Sequence, residues 1–123
     1  MPFRDAQTPL RDIQESIDHI NEFIGDMDFE SYRKDLKTKS AVERQLQILA
    51  EAVIRLGDEA EMICPGPDWQ GFRGMGNILR HGYHRVDDAI VWNTINEELQ
   101  PMRVAVVKAL STPPAAGPAP NLP

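Results

Sequence analysis

Apolar residues recur at helical spacing along most of this chain. In the first segment, intervals of three and four residues separate five aliphatic residues, which places them on one face of a helix: Leu10, Ile13, Ile17, Ile20 and Ile24. Thr8 and Pro9 precede this run as a predicted N-cap and a proline in the first turn. Gly25 follows it as a predicted stop. The pattern therefore predicts a first helix over residues 8–24.

Two more helical elements follow in the first half. Aromatic and apolar residues at helical spacing predict a short helix from about Phe29 to Leu36. The segment Ser40-Ala-Val-Glu43 has the pattern of a capping box, which predicts that a long helix opens there. Apolar residues then recur at alternating intervals of four and three residues, which is typical of a seam between packed helices: Val42, Leu46, Leu49, Val53, Leu56, Ala60 and Ile63.

The second half contains two predicted helices. The turn Cys-Pro-Gly-Pro-Asp at 64–68 breaks the chain and supplies Asp68 as a possible cap. A helix is predicted from Trp69 to about Tyr83, although its glycines disfavour a helix by up to about 1 kcal/mol each. A last helix is predicted from about Asp87 to Leu110, with a bend or interruption at Pro101.

These elements predict the fold class and the domain organisation. Four main helices with short connections and no strand pattern favour an all-α antiparallel four-helix bundle with one short extra helix. Residues 1–111 are expected to form this single domain. Residues 112–123 hold five of the ten prolines and no charge, so we expect a disordered tail. A partner could bind that tail, but a simple terminal extension is favoured.

Composition narrows the class of protein. The chain is 41% hydrophobic and 26% charged, which is typical of a globular domain. Its single cysteine, Cys64, excludes an internal disulfide and fits a reducing cytoplasm. No apolar run reaches the roughly 18 residues of a membrane span. The net charge of −6 argues against a protein that coats nucleic acid, yet residues 69–85 contain three arginines and no acid.

That locally basic segment, WQGFRGMGNILRHGYHR, contains the main candidate chemistry. At about 100° per residue, one broad sector of the predicted helix holds Arg73, Asn77, Arg80, His81 and His84. Arginine binds phosphate oxygens and histidine transfers protons near neutral pH, so the sector suits a phosphodiester. RNA supplies its own nucleophile, the 2′-hydroxyl. Two alternatives are open: an ordinary solvated face, and a histidine at the edge of the core.

Other candidate sites are weaker on their residues. Asp18, His19 and Glu22 could hold a metal but are typical of a charged helix face. Cys64 has no cation beside it in sequence, so a reactive thiol is not expected. The glycines of GFRGMG do not follow a predicted strand, which argues against a phosphate loop.

At the basic segment the chain resembles the HepT-like toxins, a branch of the HEPN superfamily of helical ribonucleases. The resemblance extends from about Leu10 to Leu110 and begins with Asp12-Ile13 and Ile20. The segment AVERQLQILAEA resembles the family's Ala-Val-x-Arg-x-Leu-x-Ile-x-Gly-Glu-Ala signature. The family's Arg-Asn-x-x-x-His-x-Tyr motif and its trailing tryptophan are matched by Trp69, Met75, Asn77, His81-Gly-Tyr83, Val86-Asp87 and Ile90-Val-Trp92.

The resemblance implies a function and a set of roles. It implies metal-independent RNA cleavage without a cofactor, by a homodimer that places two motif helices across one cleft. It also implies an antitoxin of the minimal nucleotidyltransferase type, which can add AMP to the motif tyrosine. By position, His81 would transfer protons, Asn77 would support it and Tyr83 would accept AMP. Arg44 and Glu51 match the second-helix signature as structural or interface residues, and Ala50 replaces its glycine, a mild change.

One departure concerns the motif arginine, because position 76 is glycine here. The site could be inactive, the chain could be a detoxified variant, or Arg73 or Arg80 could replace the missing cation from one turn away. In the last case Arg73 and Arg80 would be catalytic and, with His84 and Arg85, would bind substrate.

Two functions therefore compete. The favoured one is a ribonuclease toxin with an atypical site. The alternative is a helical module that binds its partner or RNA without catalysis. An unrelated four-helix protein is disfavoured by the order of the matched segments.

Overall fold

The computed structural model of the protein describes residues 5–81 and 86–111, and every regular element in these ranges is helical. The helices are α1 (Gln7–Ile24), α2 (Phe29–Lys34), α3 (Leu36–Leu56), α4 (Ala60–Ile63), α5 (Trp69–His81), α6 (Asp88–Thr94) and α7 (Gln100–Ser111). A 3₁₀ turn, Gly57–Glu59, precedes α4, and a π-helical turn, Ile95–Leu99, joins α6 to α7. The all-α prediction is confirmed.

The main helices pack as an antiparallel bundle. Helix α1 packs against α3 and α7, and α3 also packs against α5. Contacts between α1 and α3 run in opposite directions, since Arg55 binds Asp12 at 2.6 Å while His19 lies 3.4 Å from Gln45. The predicted stripes form the core: Ile13, Ile17 and Ile20 from α1 and Leu46, Leu49 and Val53 from α3 are fully buried. The predicted bundle is thus confirmed, with α2 as the short extra helix.

The predicted starts of two helices are wrong. Thr8 does not cap α1; the Asp5 carboxylate accepts from the backbone N–H groups of Gln7 and Thr8 at 2.9 and 3.4 Å. Ser40 lies inside α3, which begins at Leu36 because the Asp35 side chain accepts from the Thr38 N–H at 3.1 Å. An aspartate cap upstream extends α3 past the capping-box pattern.

The predicted continuation of α3 to Ile63 is also wrong. Gly57 ends the helix with φ 83°, in the left-handed region that glycine reaches without strain. Ala60 remains buried in the separate helix α4. The apolar seam therefore continues although the helix does not.

The predicted interruption near Pro101 is present as the π-helical turn that immediately precedes it. Proline has no N–H to donate to the preceding turn. Within the same turn, the Gln100 side chain donates from Nε2 to the Ile95 carbonyl at 3.1 Å. The same amide pairs with Asn21 through two hydrogen bonds of 2.9 and 3.2 Å, which ties the turn to α1.

The predicted tail at 112–123 lies outside the described residues, as do residues 82–85. In the described part of the chain, no helix has both the length and the apolarity needed to cross a membrane.

Candidate active site on helix α5

Helix α5 begins where the sequence predicts. The Asp68 carboxylate accepts from the Gly71 N–H at 3.0 Å, so Asp68 caps the helix. Trp69 is buried, and its indole Nε1 donates to the Cys64 carbonyl at 2.9 Å. The proline-rich turn and the first turn of α5 are therefore fixed to each other.

The two faces of α5 have different compositions. Phe72, Gly76 and Leu79 are buried in the bundle. Asn77, Arg80 and His81 are exposed on the last two turns. The helix thus presents an amide, a guanidinium and an imidazole to solvent near its C-terminal end.

A side chain of α3 binds the C-terminal turn of α5. Gln47 donates from Nε2 to the Leu79 carbonyl at 3.3 Å, and Arg44 donates to the Gln47 Oε1 at 3.3 Å. Gln47 thereby holds the turn that contains Arg80 and His81 against α3.

Gly76 lies where α5 crosses α3. A Cβ placed on Gly76 would lie 2.4 Å from the Ala50 Cβ and 3.8 Å from its Cα. Both residues are buried, so this contact leaves room for only one methyl group. The two positions at which this chain differs from the family motifs, 50 and 76, are therefore in contact with each other.

The two arginines proposed to replace the motif cation have different surroundings. Arg73 donates from Nη2 to the Gly57 carbonyl at 2.7 Å, at the C-terminal end of α3. The Arg80 Nη1 lies 3.6 Å from the place that a Cβ on Gly76 would occupy. Only the Arg80 guanidinium thus lies beside position 76.

The sequence pattern does not predict two contacts between α3 and α5. One is the hydrogen bond from Gln47 to the Leu79 carbonyl, and the other is the contact of Ala50 with Gly76. Gln47 lies within the matched second-helix segment, but no helical period indicates that its amide reaches α5. The sequence did contain a signal for the second contact: positions 50 and 76 both depart from the family pattern, and both hold small residues.

The other candidate residues have different partners. The Asp18 carboxylate accepts from Arg103 at 2.6 Å, and the His19 ring stacks on Phe23. Within residues 5–81 and 86–111, no group of three or more metal-ligating side chains converges. Burial raises the pKa of the Cys64 thiol to about 11, with a smaller contribution from Glu61.

Three candidate residues belong to the segment between α5 and α6. Tyr83, His84 and Arg85 lie outside the described residues, so the site described here consists of Asn77, Arg80 and His81 with their supports on α3.

The fold and this site define a class: an antiparallel helical bundle that presents an amide, a guanidinium and an imidazole at the end of one helix, a set suited to proton transfer beside a phosphate. The family model described as "Ribonuclease HepT-like" matches residues 13–109. The chain belongs to the HepT-like ribonuclease family.

Several curated relatives support this assignment. A "Putative RNase" of Methanocaldococcus jannaschii is 34% identical over 95 residues, covering 77% of this chain and 78% of that protein. "Probable ribonuclease HepT" of Thermococcus cleftensis is 33% identical over 100 residues, covering 81% and 91%. A "Putative RNase" of Caldanaerobacter subterraneus is 30% identical over 101 residues, covering 82% and 90%. No solved structure gives a significant match.

Proposed function

We propose that the protein is the toxin of a toxin–antitoxin pair and cleaves RNA without a metal ion. The observation that supports this most directly is the joint exposure of Asn77, Arg80 and His81 on the last turns of α5, with the Arg80 guanidinium beside position 76. The family match and the names of the relatives support a ribonuclease.

The reaction needs one proton acceptor and one proton donor. The RNA 2′-oxygen attacks the adjacent phosphorus as its proton leaves, and the bond from phosphorus to the 5′-oxygen breaks as that oxygen gains a proton. The products are a 2′,3′-cyclic phosphate and a 5′-hydroxyl. His81 moves one of these protons, since imidazole both accepts and donates near neutral pH. Asn77 lies four residues earlier, on the same side of α5, and orients the imidazole or the phosphate.

Arg80 takes the part of the motif arginine in this proposal. A cation that binds the phosphate more tightly in the transition state is worth about 2–4 kcal/mol, or about 10²–10³ in rate. Arg73 is a weaker candidate because the Gly57 carbonyl already engages its guanidinium. His84 and Arg85, which follow in the sequence, would extend the substrate-binding surface.

Cleavage of single-stranded and transfer RNA in EDTA tests the proposal. We expect activity in the protein, a loss of at least about 10² in His81→Ala, and a similar loss in Arg80→Ala. Arg33→Ala is the control, because Arg33 pairs with Glu30 on α2, away from the site. Unchanged cleavage in His81→Ala would contradict the assignment.

We also propose that a nucleotidyltransferase antitoxin neutralises the toxin by modifying Tyr83. The phenol oxygen would attack the α-phosphorus of ATP, and pyrophosphate would leave as the phenol proton is lost. The added AMP would introduce negative charge three residues after Arg80 in the sequence and would block RNA by charge and bulk. With cognate antitoxin and ATP, we expect the mass of AMP on the peptide containing Tyr83. Its absence there, while the antitoxin still suppresses cleavage, would favour steric capture.

The alternative is a module that binds without cleaving, and Gly76 in place of the motif arginine favours it. Gly76→Arg by itself does not discriminate, because any side chain at position 76 meets the Ala50 methyl group. Ala50→Gly combined with Gly76→Arg removes the methyl group that the Cβ of residue 76 would meet. A gain of cleavage in this double variant over an inactive parent would establish a disabled nuclease, and silence in both would favour the binding module.

A further inference from the structure

We infer that Arg44, on α3, is a second RNA-phosphate ligand that extends the α5 site. This inference rests on the proposed function, since it assumes that Arg80 and His81 face RNA. It assigns Arg44 a role in binding the RNA chain and none in proton transfer.

The position of Arg44 follows from two hydrogen bonds. Its Nη1 donates to the Gln47 side-chain oxygen at 3.3 Å, and the Gln47 nitrogen donates to the Leu79 carbonyl at 3.3 Å. Leu79 immediately precedes Arg80. The Arg44 side chain is exposed, so its guanidinium lies at the α3 edge of the turn that presents Arg80 and His81.

The charge environment separates Arg44 from four other cations of the chain. Arg33, Lys39, Arg55 and Arg103 each form a salt bridge with a carboxylate. Within residues 5–81 and 86–111, no salt bridge involves Arg44 or Arg80; the partner of Arg44 is the neutral amide of Gln47. In a protein of net charge −6, two guanidinium groups that no carboxylate neutralises therefore flank one helix turn.

The acidic neighbour of Arg44 faces elsewhere. The carboxyl of Glu43 interacts with Asp88 and Lys39, on the side of α3 toward α6. A guanidinium that is exposed, held by an amide and free of a carboxylate binds a phosphate through its remaining N–H groups. Successive phosphates of one strand can then contact Arg80 and Arg44.

Binding of a single-stranded RNA with 2′-O-methyl groups tests this inference apart from catalysis, because such RNA cannot be cleaved through the 2′-oxygen. The affinity is measured by fluorescence anisotropy at several salt concentrations. We expect Arg44→Ala to weaken binding about tenfold and to lower the slope of log affinity against log salt by about 0.7. Arg44→Lys should retain the slope and lose less affinity.

Arg55→Ala is the matched control. Arg55 is exposed on the same helix, and its replacement by alanine removes the same formal charge. Unlike Arg44, however, Arg55 forms a salt bridge with Asp12 at 2.6 Å. Thermal melts of all variants confirm that each one folds. Equal affinity and equal salt slope in Arg44→Ala and Arg55→Ala would overturn the inference, as would a loss confined to antitoxin binding.

Cleavage in EDTA distinguishes this inference from the proposed function. If the protein binds RNA through Arg44 but does not cleave it, the inference stands and the nuclease proposal fails. If cleavage depends on His81 while Arg44→Ala leaves both RNA affinity and KM unchanged, the nuclease proposal stands and the inference fails.

Discussion

Gly76 and Ala50 share the room for a single methyl group where α5 crosses α3. Glycine in the middle of a helix costs about 1 kcal/mol relative to alanine, so its presence at 76 needs a packing reason. The 2.4 Å separation between the Ala50 Cβ and a Cβ added to Gly76 supplies that reason. Close packing of the two helices therefore dictates the residue at position 76 as long as position 50 is alanine.

A double-mutant cycle measures this constraint. We expect Gly76→Ala to destabilise the protein by about 1–2 kcal/mol, because overpacking outweighs the gain in helix propensity. Ala50→Gly alone loses a buried methyl group and helix propensity, at about 1–2 kcal/mol. In chemical denaturation, the double variant should be destabilised by at least about 1 kcal/mol less than the sum of the losses in the two single variants.

Gly74 provides the control for this cycle. It lies on the same helix, and a Cβ there meets no atom of the described residues within 4 Å. We expect Gly74→Ala to stabilise the protein by about 0.5–1 kcal/mol. A comparable gain in Gly76→Ala would show that α3 and α5 do not pack as closely as described.

Cys64 should be chemically inert in the folded protein. The residue is 1% exposed, and burial raises the pKa of its thiol to about 11. Since the thiolate is the reactive form, the pKa keeps the folded thiol protonated at neutral pH. Labelling with a disulfide reagent at pH 7.5 should be slow, faster at higher pH, and immediate in guanidinium chloride. Rapid stoichiometric labelling of the folded protein would contradict this.

Aspartate side chains accept backbone N–H groups where five of the described helices begin, and Asp5 does so at the start of α1. Asp28 caps α2, Asp35 caps α3, Asp68 caps α5 and Asp87 caps α6. Each cap is worth about 1 kcal/mol. The aspartates therefore fix where these helices start.

The contact of α3 with α6 makes stability depend on pH. Burial raises the pKa of Glu43, Asp88 adds to the rise and Lys39 opposes it. A carboxyl with a higher pKa in the folded state holds its proton more tightly there, so its contribution to stability falls as pH rises through the window above 4.5. Lys39 and Asp88 pair at 3.1 Å beside it.

Glu43→Gln tests this sign, because the amide cannot ionise. We expect the variant to raise Tm at pH 7 more than at pH 4. Glu30→Gln is the comparison, since Arg33 lowers the pKa of Glu30, so this variant should not raise Tm at pH 7. Equal changes in Glu43→Gln at both pH values would contradict the assignment.

At the scale of the whole molecule, an apolar groove of about 420 Å³ lies between α5 and α6. Ile78 and Ile90 are 56% and 64% exposed at its edges. Ile78 follows Asn77, so this groove borders the candidate site. We propose that a second copy of the chain covers this groove, in the homodimer that the family resemblance implies.

Molar mass in solution tests this dimer against the 13.9 kDa of one chain. We expect light scattering to report a dimer that Ile78→Glu converts to a monomer, because the buried carboxylate would be unpaired in the interface. Val104→Glu is the control: Val104 on α7 is 68% exposed and does not line the groove. A monomeric parent, or equal dissociation by both variants, would contradict the proposal.

The spacing of residues along the chain was enough to predict the helical class, the buried faces and the polar residues of α5. Apolar spacing is a local property of the chain, so the stripes through Ile13 and Leu46 predict the core directly. The exposed Asn77, Arg80 and His81 follow from the same period. The same period did not predict where α1 and α3 start, because these starts depend on the side chains of Asp5 and Asp35, which lie outside the periodic segments.

The packing of the helices determines which of several equivalent candidate residues lie together. Arg73 and Arg80 stand on either side of position 76 in sequence, yet only packing sends one guanidinium to the Gly57 carbonyl and leaves the other beside Gly76. The contacts of Gln47 with Leu79 and of Ala50 with Gly76 join residues about thirty positions apart. Helical periodicity assigns a residue to a face, but only the crossing of two helices determines which residue it meets.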